Sequence, residues 1–101
     1  MDELEQILDL TGVSEAYYFD SDKNVEFSTL HEEKKIIFDI MINEVIKEIE
    51  ELQNEKIRFI SISFKKENFI ISRKAGKIAA AIGDDTINLG LLKITLNRLV
   101  K

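Results

Sequence analysis

The sequence predicts an α+β fold with the element order helix, two strands, long helix, three strands, helix. Three observations predict it. Apolar residues recur at helical spacing in three segments, they alternate or run together in five extended ones, and short polar turns separate the strands.

Asp2 to Leu10 puts Leu4, Ile7 and Leu8 on one face, with acids in the opening turn and Gly12 just past the end, as in a short helix. The runs "VSEAYYFD" and "VEFST" flank the polar turn "SDKN", which reads as a hairpin with Tyr17, Phe19, Val25 and Phe27 among its packing residues. Thr29, or Ser28 beside it, is expected to cap the next helix, with Glu32 and Glu33 favourably placed in its first turn. That helix runs to about Gln53.

At about 100° per residue, Phe38, Met41, Ile42, Val45, Ile49 and Leu52 share one broad stripe of the long helix. Asp39, Asn43, Glu44, Lys47, Glu48, Glu50 and Glu51 make up most of the opposite side. Ile36 and Ile40 nevertheless lie among those polar residues, and Ile37 and Ile46 sit on the margins of the stripe. The helix carries more apolar surface than one packing face hides.

In "KIRFISISFKK" the alternation sends Ile60, Ile62 and Phe64 to one side and Ile57 and Phe59 to the other, the pattern of a strand covered on both faces. "NFIISRK" and "KIAAAIG" follow across the turns "KKEN" and "KAGK", making a three-stranded meander. The small side chains of Ala79 to Ala81 suit a central strand approached by helices from both faces. Asp84, Asp85 or Thr86 is expected to cap the last helix, "TINLGLLKITLNRLVK", which carries Leu89, Leu92, Leu96 and Leu99.

The 101 residues contain no proline and no low-complexity tract, so one domain spanning 1–101 is expected. No apolar run approaches the roughly 20 residues that cross a bilayer, and "MDELEQILDL" opens with acids where a signal peptide is basic, so a cytoplasmic location without membrane insertion is expected. The absence of cysteine excludes disulfides, thiolate metal sites and a cysteine nucleophile. A net charge of −5 argues against nucleic acid, whose binding relies on a basic face.

No motif for catalysis emerges. "DSDKN" (Asp20 to Asn24) resembles the start of a calcium loop, but Val25 stands where glycine must turn the chain and His31 where a bidentate glutamate belongs. "RKAGK" (Arg73 to Lys77) ends in Gly-Lys but lacks the rest of a phosphate loop, and reads as a turn between strands. His31 is the only histidine, and Asp84 and Asp85 are better explained as helix-capping carboxylates than as an acid and base pair. No enzyme, cofactor or metal site is expected.

In this element order, the ending Asn88, Leu89, Gly90, Leu91, Leu92, Lys93 resembles the Asn-Leu-Gly-Leu-Leu-Arg opening of the last helix in the roadblock/dynein light chain family, particularly its small prokaryotic MglB-type members. "GVSEAYYFDSDKNV" is similar to that family's first hairpin; Lys23 replaces a frequent glycine of its turn, and Asn24 is expected to take the left-handed conformation. The resemblance implies a five-stranded antiparallel sheet with the long helix on one face and the two terminal helices on the other. It further implies homodimers in which the third strand, Ile57 to Phe64, pairs with its copy and the long helices meet, forming a platform for Ras-like small GTPases.

On this reading the surplus apolar residues serve a second interface, and a long apolar edge strand without proline or bulge is shielded by pairing. The interface residues expected are Ile36, Ile37, Ile40, Asn43, Glu44 and Lys47 on the helix and Ile57, Phe59, Ser61 and Ser63 on the strand. A donated arginine finger is disfavoured, because none of Arg58, Arg73 and Arg98 sits in an evident loop motif, Arg73 being the nearest candidate. The alternative is a profilin-like, PAS-like or longin-like domain that senses a small molecule or binds a protein, the former requiring a cavity between helix and sheet.

Overall fold

A computed structural model describes residues 2–101. Helix α1 (Glu3–Leu8) begins after Asp2, whose carboxylate accepts the Glu5 amide at 2.8 Å. Strands β1 (Val13–Asp20) and β2 (Val25–Ser28) form the expected hairpin. Asn24 takes the left-handed conformation at φ 51°, and the buried Asp20 side chain closes the turn by accepting the amides of Asp22 and Lys23. After the long helix come β3 (Phe59–Ser63), β4 (Asn68–Lys74), β5 (Lys77–Gly83) and a final helix, α4 (Leu89–Leu99).

The strands make one antiparallel sheet in the order β2-β1-β5-β4-β3, so β5 lies at the centre and β3 at one edge. Ala79 and Ala81 face α1 and α4, in a core with Ile7, Tyr18, Ile70, Leu92 and Leu96. Ala80 faces the long helix, in a second core with Tyr17, Phe38, Met41, Phe69 and Ile71. Three alanines in sequence therefore let helices approach both faces of the middle strand. Gly12 (φ +84°) brings the entry to β1 against the exit of β5, where its carbonyl accepts the Asp84 amide at 3.0 Å; a Cβ there would lie 2.7 Å from the Ile87 amide nitrogen.

Two helix caps differ from expectation. His31, not Thr29 or Ser28, occupies the cap of the long helix, and its side chain makes no capping bond. The hydroxyl of Thr29 is taken by β1, where it accepts the Ala16 amide at 2.9 Å; Ser28 accepts the Leu30 amide instead. The last helix starts at Leu89 with Asn88 as its cap, accepting the Leu91 amide at 3.0 Å. Asp84 is occupied one turn earlier, accepting the amide and hydroxyl of Thr86, and these bonds hold its carboxyl below the usual range. The β3 strand is also shorter than its pattern, because Ile57 lies in the loop before it.

The long helix consists of α2 (Glu32–Ile40), a π-helical segment (Met41–Ile46) and α3 (Lys47–Gln53). A π turn winds in one extra residue, so everything after it is displaced by about 100° from its place in an uninterrupted α-helix. Phe38 and Met41 pack on the sheet as expected, but from the end of the π segment onward the inward residues are Ile46, fully buried, and Glu50. Val45, Ile49 and Leu52, expected on the buried stripe, are exposed at 41%, 44% and 84%.

Deleting Asn43 from the π segment lets it close as ordinary α-turns while Phe38, Met41, Ile46 and Glu50 keep their direction. That variant is expected to fold with a thermal midpoint at or above that of the parent. A midpoint more than about 8 °C lower, roughly 1 kcal/mol or more for a chain of this size, would show that the extra residue is itself required by the packing.

Candidate functional site

The exposed edge of β3 follows from its register. Arg73 donates its amide to the Arg58 carbonyl and Phe64 donates to the Glu67 carbonyl, each at 2.8 Å. Because bonded and non-bonded pairs alternate along an antiparallel ladder, residues 58, 60, 62 and 64 bond to β4. The backbone groups of Phe59, Ser61 and Ser63 point away from β4 to the open edge. This edge carries no proline and its pairing with β4 shows no register shift. Ile60 and Ile62 lie on the long-helix face, while Phe59 joins the core beneath α1 and α4, with Lys93 Nζ 4.8 Å from its ring centre.

The rotation of the long helix is fixed by two adjacent lysines. Lys34 pairs with Glu67 and sits over the Phe69 ring, facing β4 and its turn from β3. Lys35 sits over Tyr17 and reaches towards Glu26 on β2, while bonding Asp39 one turn on. The side of the helix nearest β3 is thereby defined.

Stepping about 100° per residue, with one residue absorbed by the π turn, places Ile36, Ile37, Ile40, Val45, Ile49 and Leu52 in one outward stripe. All six are exposed. The stripe spans the sector from directly above the sheet to the β3 side, and Ile37 shares a shallow groove with Phe64 and Phe69 beside the β3–β4 turn. The open strand edge and the unpaired helical stripe thus lie on the same flank of the molecule. Sequence periodicity found half of this stripe; Val45, Ile49 and Leu52 were hidden because a constant α-helical angle places them under the helix.

The remaining expected residues are distributed around that flank. Glu44 borders the stripe, whereas Asn43 and Lys47 project with the half-buried Asp39 towards the β2 side; Asn43, Glu44 and Lys47 are exposed. Ile57 is held in the loop before β3 by Glu50, whose carboxylate accepts the Ile57 amide at 2.7 Å. Arg73 is committed to the same knot, donating through Nη1 to Glu50 at 3.1 Å and to the Ile57 carbonyl at 3.2 Å. His31 stands at the far end of the long helix, with Nδ1 2.8 Å from the buried Glu15 carboxylate. Among the described residues no group of three histidine or acidic side chains is arranged to hold a metal ion, and no helix is long and apolar enough to cross a membrane.

In the ending Asn88 to Lys93, Asn88 caps α4 and Leu92 is buried, while Leu89 and Leu91 are exposed. Gly90 has room for a side chain, since a Cβ would meet only Asn88 Oδ1 at 3.5 Å, and nothing within the protomer explains the glycine.

No family model and no curated protein matches the sequence. Solved structures do match the fold. A Roadblock/LC7 domain from Streptomyces avermitilis superposes with a TM-score of 0.71 at 9% identity, covering 96% of this chain and 88% of that one. The gliding protein MglB from Thermus thermophilus gives 0.67 at 16% identity, covering 97% and 85%. A structure of MglB with a tetrameric arrangement gives 0.68 at the same identity and coverage. The chain has the roadblock fold, with the long helix on one face of the sheet and the terminal helices on the other.

The Glu50 knot carries a pH dependence. The Ile57 amide first, then Arg73, hold the Glu50 carboxyl below its ordinary value of 4.5. Its contribution to stability is therefore complete above that value and is lost as pH falls through the lowered one. Comparing urea midpoints at about pH 6 and about pH 3, Glu50→Gln is expected to lose less stability on acidification than the parent. An identical loss in both proteins would remove Glu50 from the account.

Proposed function

We propose that this chain is a non-enzymatic adaptor of the cytoplasm that works as a twofold dimer and binds a Ras-like small GTPase, modulating its nucleotide cycle or its location. The observation that carries the reading is the union of two incomplete surfaces on one flank: the open edge of β3 and the apolar stripe of the long helix. A second copy related by a twofold axis completes both at once. Antiparallel pairing of β3 with its copy gives partners to the free backbone groups of Phe59, Ser61 and Ser63, and brings the stripes containing Ile36, Ile37 and Ile40 together above the joined sheets.

Exposed serine side chains at Ser61 and Ser63 leave little steric obstruction to that pairing. Val45 and Ile49 extend the helical part of the contact, and an interface of about 1,600 Å² in total is ordinary for a stable dimer. Asn43 and Lys47, turned towards β2, remain available to a partner outside this dimer contact.

The partner class comes from the roadblock resemblance, in which such dimers serve small GTPases; the similarity to MglB structures, one of them in a tetrameric arrangement, supports assembly. A sensor holding its ligand between helix and sheet is less well supported. That space is filled by Tyr17, Phe38, Met41, Phe69 and Ile71, with the Tyr17 and Phe38 rings 4.5 Å apart. Burial and the hydrogen bond to Glu26 push the Tyr17 phenol well above its usual range, so it remains a neutral donor within this core.

Ser61→Pro deletes an amide that faces the open edge and leaves the β3–β4 ladder intact. Ile40→Glu places a charge in the helical contact. Light scattering is expected to show dimers for the parent and a shift towards monomer for both variants, with unchanged circular dichroism. Dimer mass retained in both would overturn the proposed contact. For the partner, capture with immobilised parent protein from the source cell, loaded with GDP or a non-hydrolysable GTP analogue, is expected to retain a small GTPase in a nucleotide-dependent way. Its absence in both nucleotide states would leave the dimer without the proposed client.

A further inference from the structure

A groove of about 550 Å³ opens where the loop before β3, the β4–β5 turn and the end of α3 meet. Its basic lining is Lys56, Arg58, Arg73, Lys74 and Lys77, five of the fourteen lysines and arginines in a chain of net charge −5. The acid in the lining is Glu50, already engaged by the Ile57 amide and by Arg73. Among the described residues, Lys56, Arg58 and Lys74 have no carboxylate at salt-bridge distance. Of the five cations that border this concavity, Arg73 is paired with Glu50 and Lys77 lies 4.0 Å from Asp20, which leaves those three without an ion pair.

The walls are held in place. The β4–β5 turn has two successive left-handed residues, Ala75 and Gly76, and a Cβ on Gly76 would lie only 2.3 Å from Ser21 Oγ. The Gly76 carbonyl accepts the Ser21 amide at 3.0 Å, tying this turn to the β1–β2 turn. Arg73 is fixed by Glu50 and the Ile57 carbonyl, and Lys77 Nζ donates to the Lys101 carbonyl at 2.9 Å. Phe19 and Ile78, neighbours across β1 and β5, give the groove an apolar floor.

From this arrangement we propose that the groove binds an organic phosphate, with the phosphates on the rim of Arg58 and Lys56 beside Arg73 and an apolar or flat body against Phe19 and Ile78, while Lys74, on the opposite face of β4, adds positive charge at the turn. Guanidinium groups match phosphate oxygens in pairs, and ammonium groups add unshaped positive charge. A volume of several hundred Å³ suits a small molecule, and concavity favours a ligand that enters over a flat lipid surface. This extends the turn "RKAGK": it is no phosphate loop at a helix N-terminus, but its cations meet two more from the loop before β3. Arg73, Lys74 and Lys77 lie on β4 and β5, away from the open edge, whereas Arg58 adjoins β3; light scattering on the double variant below therefore separates loss of the groove from loss of the dimer.

The test uses the full chain and amide chemical shifts, with ADP and inorganic pyrophosphate as probes. ADP is expected to give saturable shifts at residues 56–58 and 73–78. Binding should be about tenfold weaker or more in the double variant Arg58→Glu, Lys74→Glu, while resonances of the two cores stay in place. Pyrophosphate is expected to shift the same amides with lower affinity, because it does not reach the floor. The proposal is overturned by no saturable response to either probe, by shifts spread equally to lysines such as Lys65 and Lys93, or by equal affinity for ADP and pyrophosphate. Response to a glutamate-rich peptide or to anionic vesicles alone would also overturn it, assigning the groove to a protein or a membrane.

Discussion

A single sheet has two faces and two edges, and this chain has only enough helix to cover the faces. The terminal helices, from opposite ends of the sequence, meet on one side of β5, and the long helix covers the other. Central placement of the alanine strand is what allows both layers to close in. It also sends β3 to an edge, with β4 as its one neighbour. A row of backbone groups without partners is then unavoidable. The open edge is the direct cost of the layered arrangement, and the functional reading depends on it.

The π segment connects that edge to the rest of the molecule. By turning Glu50 towards the sheet, it brings a carboxylate to the Ile57 amide and to Arg73. The same contact fixes the loop that leads into β3 and one wall of the basic groove. The rotation that turns Glu50 in turns Val45, Ile49 and Leu52 out. Strand edge, helical stripe and groove are separate surfaces, but one local change in helical winding shapes all three.

Much of this architecture was legible in the sequence, because burial sets periodicity. The eight-element order and the central alanines follow from residue patterns alone; the left-handed Asn24 and the assignment of helices to opposite faces came from the roadblock resemblance. The caps were less legible, since several side chains near each helix start could accept the same amide. Thr29 and Asp84 found bonds elsewhere, and His31 and Asn88 took the cap positions. The second half of the interaction stripe was invisible for a different reason. A constant angle per residue is an assumption about the backbone, and no side chain between Met41 and Ile46 announces that the backbone departs from it.

The π turn also bears on how distant kin are recognised. Against any homologue whose corresponding helix is uninterrupted, this protein carries one residue more between positions 41 and 46, although the flanking halves occupy equivalent space. A gapless comparison of letters through such a helix is therefore out of phase from position 47 to its end. It sets buried positions against solvated ones, so the shared ancestry of two such helices is better preserved in their shape than in their spelling.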